Sequence, residues 1–573
     1  MKKVFKTLKT EYFDRVDRSM PWSEYPRPSM VRESYLCLNG YWDFCISDEN
    51  LPTEYSEKIL VPYPPESLLS GIERQIPENK FIFYRRKFDL PKGFLKDRFI
   101  LHFGAVDTVS EVYFNGRSVI KHEGGYLPFS ADCTELLKET DNEITVKVKG
   151  DLTRVYPYGK KCKKRGGMWY TPTSGIWQTV WAESVPEKYI LSTKTTTDTQ
   201  SAKIVANGAK EDAVLTVLQT GEQFIIKDGS FNVTPKEKHL WSPEDPYLYE
   251  YEILSGVDKV RGYFALREIG IGEFKGIKRL TLNGKPYLFN GLLDQGYFPD
   301  GILLPATLEA YENDIMQSKR LGFNMLRKHI KIEPELFYHL CDKLGMIVFQ
   351  DMVNNANYSF LFDTALPTIG MKRFPDALLH RNKKTRNIFT RHMLETFDHL
   401  QSFPCILYYT IFNEGWGQFT ADKLYRIAKE RVSDRIIDST SGWFTQKESD
   451  VDSRHVYFKP VVIKNKSDRP IVISEFGGYS HRVEGHLFGE NNYGYRLLST
   501  PDQLNDAFEK LYIEEILPGI EKGISGLVYT QVSDVEDETN GIMTYDRAHV
   551  KLDPERTRSI MNKLYSEMER ATK

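Results

Sequence analysis

Only six cysteines (Cys37, Cys45, Cys133, Cys162, Cys341, Cys405) are scattered through 573 residues, with no Cys-x-x-Cys pair and no His-rich ligand spacing beside them. That excludes a disulfide framework and a zinc-ribbon type of centre, and it predicts reduced, mostly buried thiols. A run of about 18 apolar residues, the least that spans a bilayer as a helix, is also missing. The first eleven residues are basic but never develop the apolar stretch of a secretory signal. A soluble cytoplasmic protein is the expectation. Neither sign of charge is in surplus: 77 Lys and Arg face 79 Asp and Glu, for a formal net charge of −2. The balance leaves no electrostatic footprint for nucleic acid or an anionic membrane surface, and suits a neutral ligand better. The one local exception is Lys160, Lys161, Lys163, Lys164 and Arg165, read more readily as a solvated loop than as a polyanion site, although such a run can line a cleft. Internal repeats and low-complexity linkers are absent.

What is present is length and pattern. The chain is too long for one core and should divide into roughly three or four domains of about 150 residues. From Cys37 to about Glu183, short alternating runs are broken by turns, and Asn115-Gly116 between apolar flanks signals a hairpin, since both positions tolerate positive φ. Residues 1–185 are therefore assigned to a jelly-roll-like β-sandwich and 186–272, with about seven short strands, to an immunoglobulin-like β-sandwich. From residue 273 to 573, strands and amphipathic helices alternate, as parallel βα units require. Strand candidates at Tyr287, Asn324, Met346, Ile406, Ile436, His455, Ile471 and Ile524 number eight, which predicts a closed (β/α)8 TIM barrel whose fifth and sixth units are the weakest.

Two segments of that barrel, Ile406 to Gln418 and Ile471 to Tyr479, each place a glutamate where an apolar β-run stops. Glu414 and Glu475 then sit at the carboxyl ends of parallel strands, where catalytic groups collect. A pair of carboxyl groups facing one substrate is what glycosidic bond cleavage needs. Either glutamate alone has an equally good reading as a solvated residue entering a loop.

The sequence of domains, together with Gly167-Met-Trp-Tyr-Thr-Pro-Thr-Ser-Gly-Ile-Trp-Gln-Thr-Val-Trp181, Asn413-Glu414-Gly-Trp-Gly and Ser474-Glu475-Phe-Gly-Gly, resembles glycoside hydrolase family 2, the β-galactosidase and β-glucuronidase family, over nearly the whole chain. The resemblance implies a retaining exo-glycosidase with Glu475 as nucleophile and Glu414 as acid/base, Asn413 bonding the sugar 2-hydroxyl, Tyr457 orienting the nucleophile and Arg327 steadying it. A turn residue, a core tyrosine and a structural salt bridge are the respective alternatives. Trp416 and Trp443 offer ring faces for a pyranose, or serve as wall packing. His455 is a further candidate.

The family pattern fails at the first barrel strand, where Gly291-Leu-Leu-Asp294-Gln295 stands in place of Gly-x-x-x-His-Glu; Asp294 or Asp300 then becomes a candidate hydroxyl contact. No Asn-x-Lys follows Glu475 to hold a sugar carboxylate, which favours a neutral sugar, with Arg482 as the possible substitute. The expectation is a β-galactosidase-like enzyme without organic cofactor, and a divalent cation near Glu414 is possible but not predicted. Its partner is an oligosaccharide or small glycoside, not nucleic acid or membrane, and a homo-oligomer is possible. The rivals are a β-glucuronidase, an enzyme for another sugar such as a mannoside or arabinoside, and an inactive carbohydrate-binding protein.

Overall fold

The computed structural model describes residues 8–359, 375–464 and 467–573, together with Leu361, Asp363 and Leu366; the first seven residues of the basic start lie outside these. The first sandwich sets a six-stranded antiparallel sheet, containing Gly40–Ser47, Phe81–Phe88 and Asn142–Lys149, against a four-stranded one built on Arg98–Phe103 and Val180–Val185. Burial alternates along Val109–Phe114, and Trp42, Phe44, Tyr84, Phe99 and Phe114 fill the space between the sheets. Asn115 and Gly116 take φ of 47° and 82°, turning that strand into Arg117–Glu123. The second sandwich packs a three-stranded sheet and a four-stranded sheet around Ile204, Leu215, Phe231 and Ile253. A hairpin of Ile269–Phe274 and Ile277–Leu282 straddles residue 272 and closes the floor of the barrel, where Arg279 donates to the carbonyls of Ile520 (2.8 Å) and Ile524 (3.2 Å).

Eight parallel strands follow: β1 Phe289–Asp294, β2 Met325–Lys328, β3 Ile347–Asp351, β4 Ile406–Asn413, β5 Ile436–Ser441, β6 Asp452–Val456, β7 Ile471–Gly477 and β8 Ile524–Thr530. They form one sheet in the order β5-β4-β3-β2-β1-β8-β7-β6. All but β6 are buried along their whole length, which is why they read as unbroken apolar runs rather than alternating ones. Between β5 and β6 no ladder forms, and side chains close the ring instead, Ser441 Oγ lying 3.3 Å from Ser453 Oγ and 3.0 Å from His455 Nε2.

Helices α1 Leu308–Arg320, α2 Glu335–Leu344, α3 Lys383–Leu400 and α4 Ala421–Arg431 follow the first four strands, α5 Pro501–Lys510 follows β7, and α6 Pro554–Thr572 ends the chain. Among the described residues no helix follows β5 or β6, the two units whose sequence signal is faint. In α2, Pro334 stands at the start and Gly345 (φ 71°) ends the helix in the left-handed conformation. No helix among the described residues is long and apolar enough to cross a membrane.

The leader does not trail free: Tyr12, Phe13 and Trp22 bury against the barrel loops, and Thr10 donates its N–H (3.0 Å) and hydroxyl (2.5 Å) to Asp300. Asp300 is thus a tie between leader and barrel rather than a sugar contact.

Candidate active site

The strand ends converge. Asn413 ends β4, Glu414 is the next residue, and Glu475 lies near the end of β7. Glu414 holds φ at +51°, a left-handed backbone that a side chain other than glycine adopts only where its surroundings impose it; its N–H bonds Ser441 O at 2.8 Å and Gly415 follows at φ 78°. The turn aims its carboxylate back across the barrel mouth. There His455 Nδ1 lies 2.8 Å from Glu414 Oε1 and 3.5 Å from Glu475 Oε2, and the donor atoms of all three residues fall within 4.8 Å of one another.

The two carboxylates live in different company. Glu475 receives Arg327 Nη1 at 3.1 Å and the Tyr457 hydroxyl at 2.5 Å, and is 5% exposed. Burial pushes its carboxyl up, but the charges of His455, Arg327 and His329 together with the Tyr457 hydrogen bond outweigh burial and hold it below the ordinary carboxylate range. Glu414 is more open, its side chain 15% exposed, and His455 is its one charge partner among the described residues. Burial drives the Tyr457 hydroxyl well above its usual value, with the Glu475 charge adding to it, so it stays a donor.

Arg327 is the hub. Its guanidinium bonds Asp351 Oδ1 (3.0 Å), Ser474 O (2.9 Å), Glu475 Oε1 and Asn413 Oδ1 (2.8 Å). With Oδ1 committed to Arg327, Asn413 is left with its amide nitrogen to donate to a substrate hydroxyl. Asp351 in turn accepts His329 Nδ1 at 2.8 Å. Arg327 and His329 are two apart, so they share a face, and that i, i+2 spacing with an acid at the end of the neighbouring strand is the signal by which the Asp351–His329 support can be found in sequence. Tyr495, stacked on Tyr457 at 3.8 Å between ring centroids, comes from the β7–β8 connection and carries no such signal.

The structure brings Glu414, Glu475, Asn413, Arg327, Tyr457 and His455 together. Trp443 is half-buried, edge-on to His455 with ring centroids 5.5 Å apart, where a ring face can meet a sugar. Trp416 is nearly closed off: it is 2% exposed, stacked on Trp169 (5.3 Å, 25°) and edge-on to Tyr358. Its role is wall packing.

Asp294 is the correction. It pairs in register with Lys328, so when Arg327 points into the barrel both point outward, and Asp294 is spent on Lys328 Nζ (2.6 Å) and Gly296 N (2.9 Å). Lys328 also binds Glu333, which accepts from Tyr311 of α1. Asp294 belongs to the layer between strands and helices, not to the pocket. Arg482 is likewise engaged elsewhere, donating to Glu490 O.

The first sandwich supplies one wall. Gly175 (φ 82°) lets the Ser-Gly-Ile-Trp turn pass the Tyr84 hydroxyl, which a Cβ would overlap. Ser174 is anchored through its N–H (3.1 Å) and hydroxyl (2.7 Å) on Glu66, and Trp177 Nε1 donates to Gly125 O (2.7 Å). The turn so fixed carries Thr171, whose N–H bonds Glu536 (2.9 Å), and Tyr170, whose hydroxyl bonds Glu538, both acids from the loop after β8. The basic run next to it is only partly solvated. Lys163 and Lys164 are exposed, but Lys160 and Lys161 are 5% and 2% exposed, Lys161 paired with buried Asp107 and Lys160 lying against Trp416 and Tyr170.

Glu414, His455 and Glu475 are also close enough to hold a divalent cation. A cation there would occupy the lone pairs that a proton or an anomeric carbon would use, so it would compete with acid/base and nucleophilic work by the same carboxylates.

Comparison with known proteins agrees with this architecture. Residues 68–177 match the model of the glycosyl hydrolase 2 galactose-binding domain-like family. The β-galactosidase of Thermoanaerobacter pseudethanolicus is 25% identical over 341 residues, covering 55% of this chain and 44% of that one. Rat β-glucuronidase is 24% identical over 448 residues, covering 68% of this chain and 65% of that one. The chain thus spans 44% and 65% of the length of these two curated relatives. A solved β-glucuronidase from an uncultured Clostridium species superposes with a TM-score of 0.71 at 19% identity, over 94% of this chain and 99% of its own. That domain, those relatives and the sandwich, sandwich and barrel order are what the chain shares with glycoside hydrolase family 2.

Proposed function

We propose that this chain is a retaining exo-β-glycosidase acting on β-linked terminal sugars, with Glu475 as nucleophile and Glu414 as acid/base. One observation carries the reading: carboxylate oxygens of the two glutamates lie within 4.8 Å of each other. Retaining enzymes hold their carboxyl groups about 5 to 5.5 Å apart, whereas inverting ones need roughly 6.5 to 9.5 Å to admit a water between carboxylate and sugar. The different environments divide the labour. Glu475, held anionic by Arg327 and Tyr457, is suited to attack; Glu414, less surrounded by positive charge, is suited to carry a proton.

In the first half-reaction a Glu475 oxygen forms a bond to the anomeric carbon while the bond to the aglycone oxygen breaks and that oxygen takes the Glu414 proton. The charge of Glu475 disappears into an ester. Glu414, now a carboxylate, takes a proton from water as the water oxygen attacks the anomeric carbon, and Glu475 departs as a carboxylate. Asn413, with its amide nitrogen free, favours the oxocarbenium-like state by bonding the 2-hydroxyl. The relatives named above are β-galactosidases and β-glucuronidases, and both sugars are candidates.

The test is to incubate the protein with 2-deoxy-2-fluoro-β-glycosyl fluorides of the galacto and glucurono series and read the trapped sugar by peptide mass. The proposal expects the label on Glu475. A label on another residue, or hydrolysis that proceeds with inversion, overturns it.

A further inference from the structure

A pair of histidines outside the catalytic pocket takes no part in the mechanism. His486, in the β7–β8 connection, and His549, in the loop between β8 and α6, meet with their Nε2 atoms 2.9 Å apart and their ring planes at 79°. His486 is half-buried and turns its other nitrogen, Nδ1, to Asp546 Oδ2 at 2.7 Å, whereas His549 is exposed. The carboxylate is itself fixed. Asp546 is buried, and its Oδ1 receives the Thr544 hydroxyl at 2.6 Å and the Ala548 N–H at 3.2 Å. The His549 N–H donates to the Thr544 hydroxyl (3.1 Å) and the Thr544 N–H to His549 O (2.9 Å), so residues 544–549 form a closed turn that presents one ring and holds the acid behind the other. On the opposite side the His486 N–H closes a second turn on Val483 O at 3.1 Å.

An ionised carboxylate only accepts, so Asp546 keeps a proton on Nδ1 of His486 and leaves the Nε2 lone pair facing His549. A ligating histidine is held in this way: a carboxylate on the second nitrogen sets the tautomer and ring direction and makes the first nitrogen more basic. Without a metal, His549 can donate its own Nε2–H to that lone pair, but a hydrogen bond between two such rings nets only about 0.5 to 1.5 kcal/mol and requires no acid behind it. The spacing also suits chelation. Two nitrogens about 2.0 to 2.1 Å from one ion stand about 2.9 Å apart at a right angle and about 3.4 Å apart at the tetrahedral angle. A right angle is the cis arrangement of a tetragonal ion, and imidazole nitrogen with water oxygen in that geometry selects Cu²⁺ or Ni²⁺. Among the described residues the one group of three or more ligating side chains is Glu414, His455 and Glu475, so water completes the coordination at the histidine pair, and the exposure of His549 gives the ion its path in.

We infer that His486 and His549, supported by Asp546, form a binding site for a divalent transition cation of the Cu²⁺ and Ni²⁺ class, which clamps the β7–β8 connection to the loop after β8. The same two segments are already tied by the Tyr493 N–H to Asp537 O (2.8 Å) and the Thr539 N–H to Tyr493 O (3.1 Å), and they carry Tyr495, stacked on Tyr457, and Glu538, bonded to Tyr170. The ion adds a second tie between these segments. It stands apart from the glycosidase reading and takes no step in hydrolysis.

The test titrates the intact chain with Ni²⁺ in a calorimeter and with Cu²⁺ in an EPR tube. One equivalent of Ni²⁺ should bind, and His486→Gln or His549→Gln should each weaken it at least about 30-fold, with Asp546→Asn costing about 10- to 100-fold as loss of an outer carboxylate does. His239→Gln, which removes an exposed histidine paired with Asp245 and stacked on Tyr247, should change nothing. Ni²⁺ should raise the Tm of the unaltered protein and not that of the two histidine variants. On the unaltered protein the Cu²⁺ spectrum should be tetragonal with coupling to two nitrogens, a readout that needs no variant to fold. Ni²⁺ retained by both histidine variants overturns the assignment; if the retained ion also inhibits glycoside hydrolysis competitively, it sits on Glu414, His455 and Glu475 instead. A Cu²⁺ spectrum with one coupled nitrogen or none overturns it too. A chain that binds Ni²⁺ as expected and hydrolyses no glycoside keeps this site and loses the glycosidase reading.

Discussion

Replacing Glu414 by alanine removes the proton carrier and leaves the nucleophile in place, so the two half-reactions should respond differently. His455 Nδ1, 2.8 Å from Glu414 Oε1, loses its acceptor and faces an empty space large enough for a small anion, while Arg327 and Tyr457 still hold Glu475. General acid or base catalysis contributes about 10²- to 10⁴-fold, or roughly 3 to 5.5 kcal/mol of barrier. For an aryl glycoside whose phenol leaves without assistance, kcat/KM should fall by less than about tenfold. For an alkyl glycoside, whose oxygen must be protonated, it should fall by the full amount, and the loss should grow smoothly with leaving-group pKa. With the reactive aryl substrate kcat becomes limited by water attack and should drop about 10²- to 10⁴-fold, then recover when azide enters the vacated space beside His455 and attacks without needing a base. The product would be a glycosyl azide of β configuration, identified by NMR. Equal losses across all leaving groups with no azide product would reverse the roles of the two glutamates or void them; an α-azide would refute the two-step mechanism.

Glu475→Gln, nearly isosteric and without the charge, should lower kcat/KM on every substrate by roughly 10⁴-fold or more, as loss of a covalent nucleophile does; unchanged turnover would leave the inactive binding protein as the better reading. Glu66 bears on stability rather than chemistry. Burial raises its carboxyl to about 8 against the two hydrogen bonds from Ser174, so the folded state keeps a proton that the unfolded chain releases near its ordinary value. Its contribution to stability is therefore present at acidic pH and lost as pH rises from about 4.5 toward 8, at up to about 1.4 kcal/mol per pH unit. Glu66→Gln should raise the calorimetric Tm at pH 8 more than at pH 5, and equal shifts at both would contradict the assignment. Gly175→Ala should cost roughly 2 to 5 kcal/mol, combining a left-handed backbone with an overlap on the Tyr84 hydroxyl, and appear as a lowered Tm of the first sandwich; an unchanged transition would show that the turn relaxes freely.

Seven of the eight barrel strands are sheltered on both faces and need no polar alternation, so Ile406 to Phe412 and Ile471 to Ile473 stand out as continuous apolar runs, whereas β6 alternates and its signal is faint. Both glutamates follow directly from where those runs stop. The residues around them were harder for a definite reason. Asp294 sits at a strand end like Glu475, but whether such a residue faces the pocket depends on register against its neighbour, and a shift of one residue exchanges the faces. Lys160 and Lys161 belong to a run that local composition makes look solvated. Their burial depends on Asp107, Tyr170 and Trp416, drawn from the sandwich and the barrel, and nothing in the five-residue run announces such partners. Glu536 and Glu538 likewise gain meaning only because Thr171 and Tyr170 arrive from another domain.

The turn from Lys160 to Trp177 has an evolutionary corollary. Glu414 and Glu475 are rooted in strands that cannot shift without dismantling a core, whereas the turn that meets the loop after β8 comes from a separate module. Selection can therefore edit that turn without disturbing the strands that carry the two carboxylates. Thr171 and Tyr170 bond Glu536 and Glu538, so a barrel expressed without the first sandwich would leave those two buried acids without these donors.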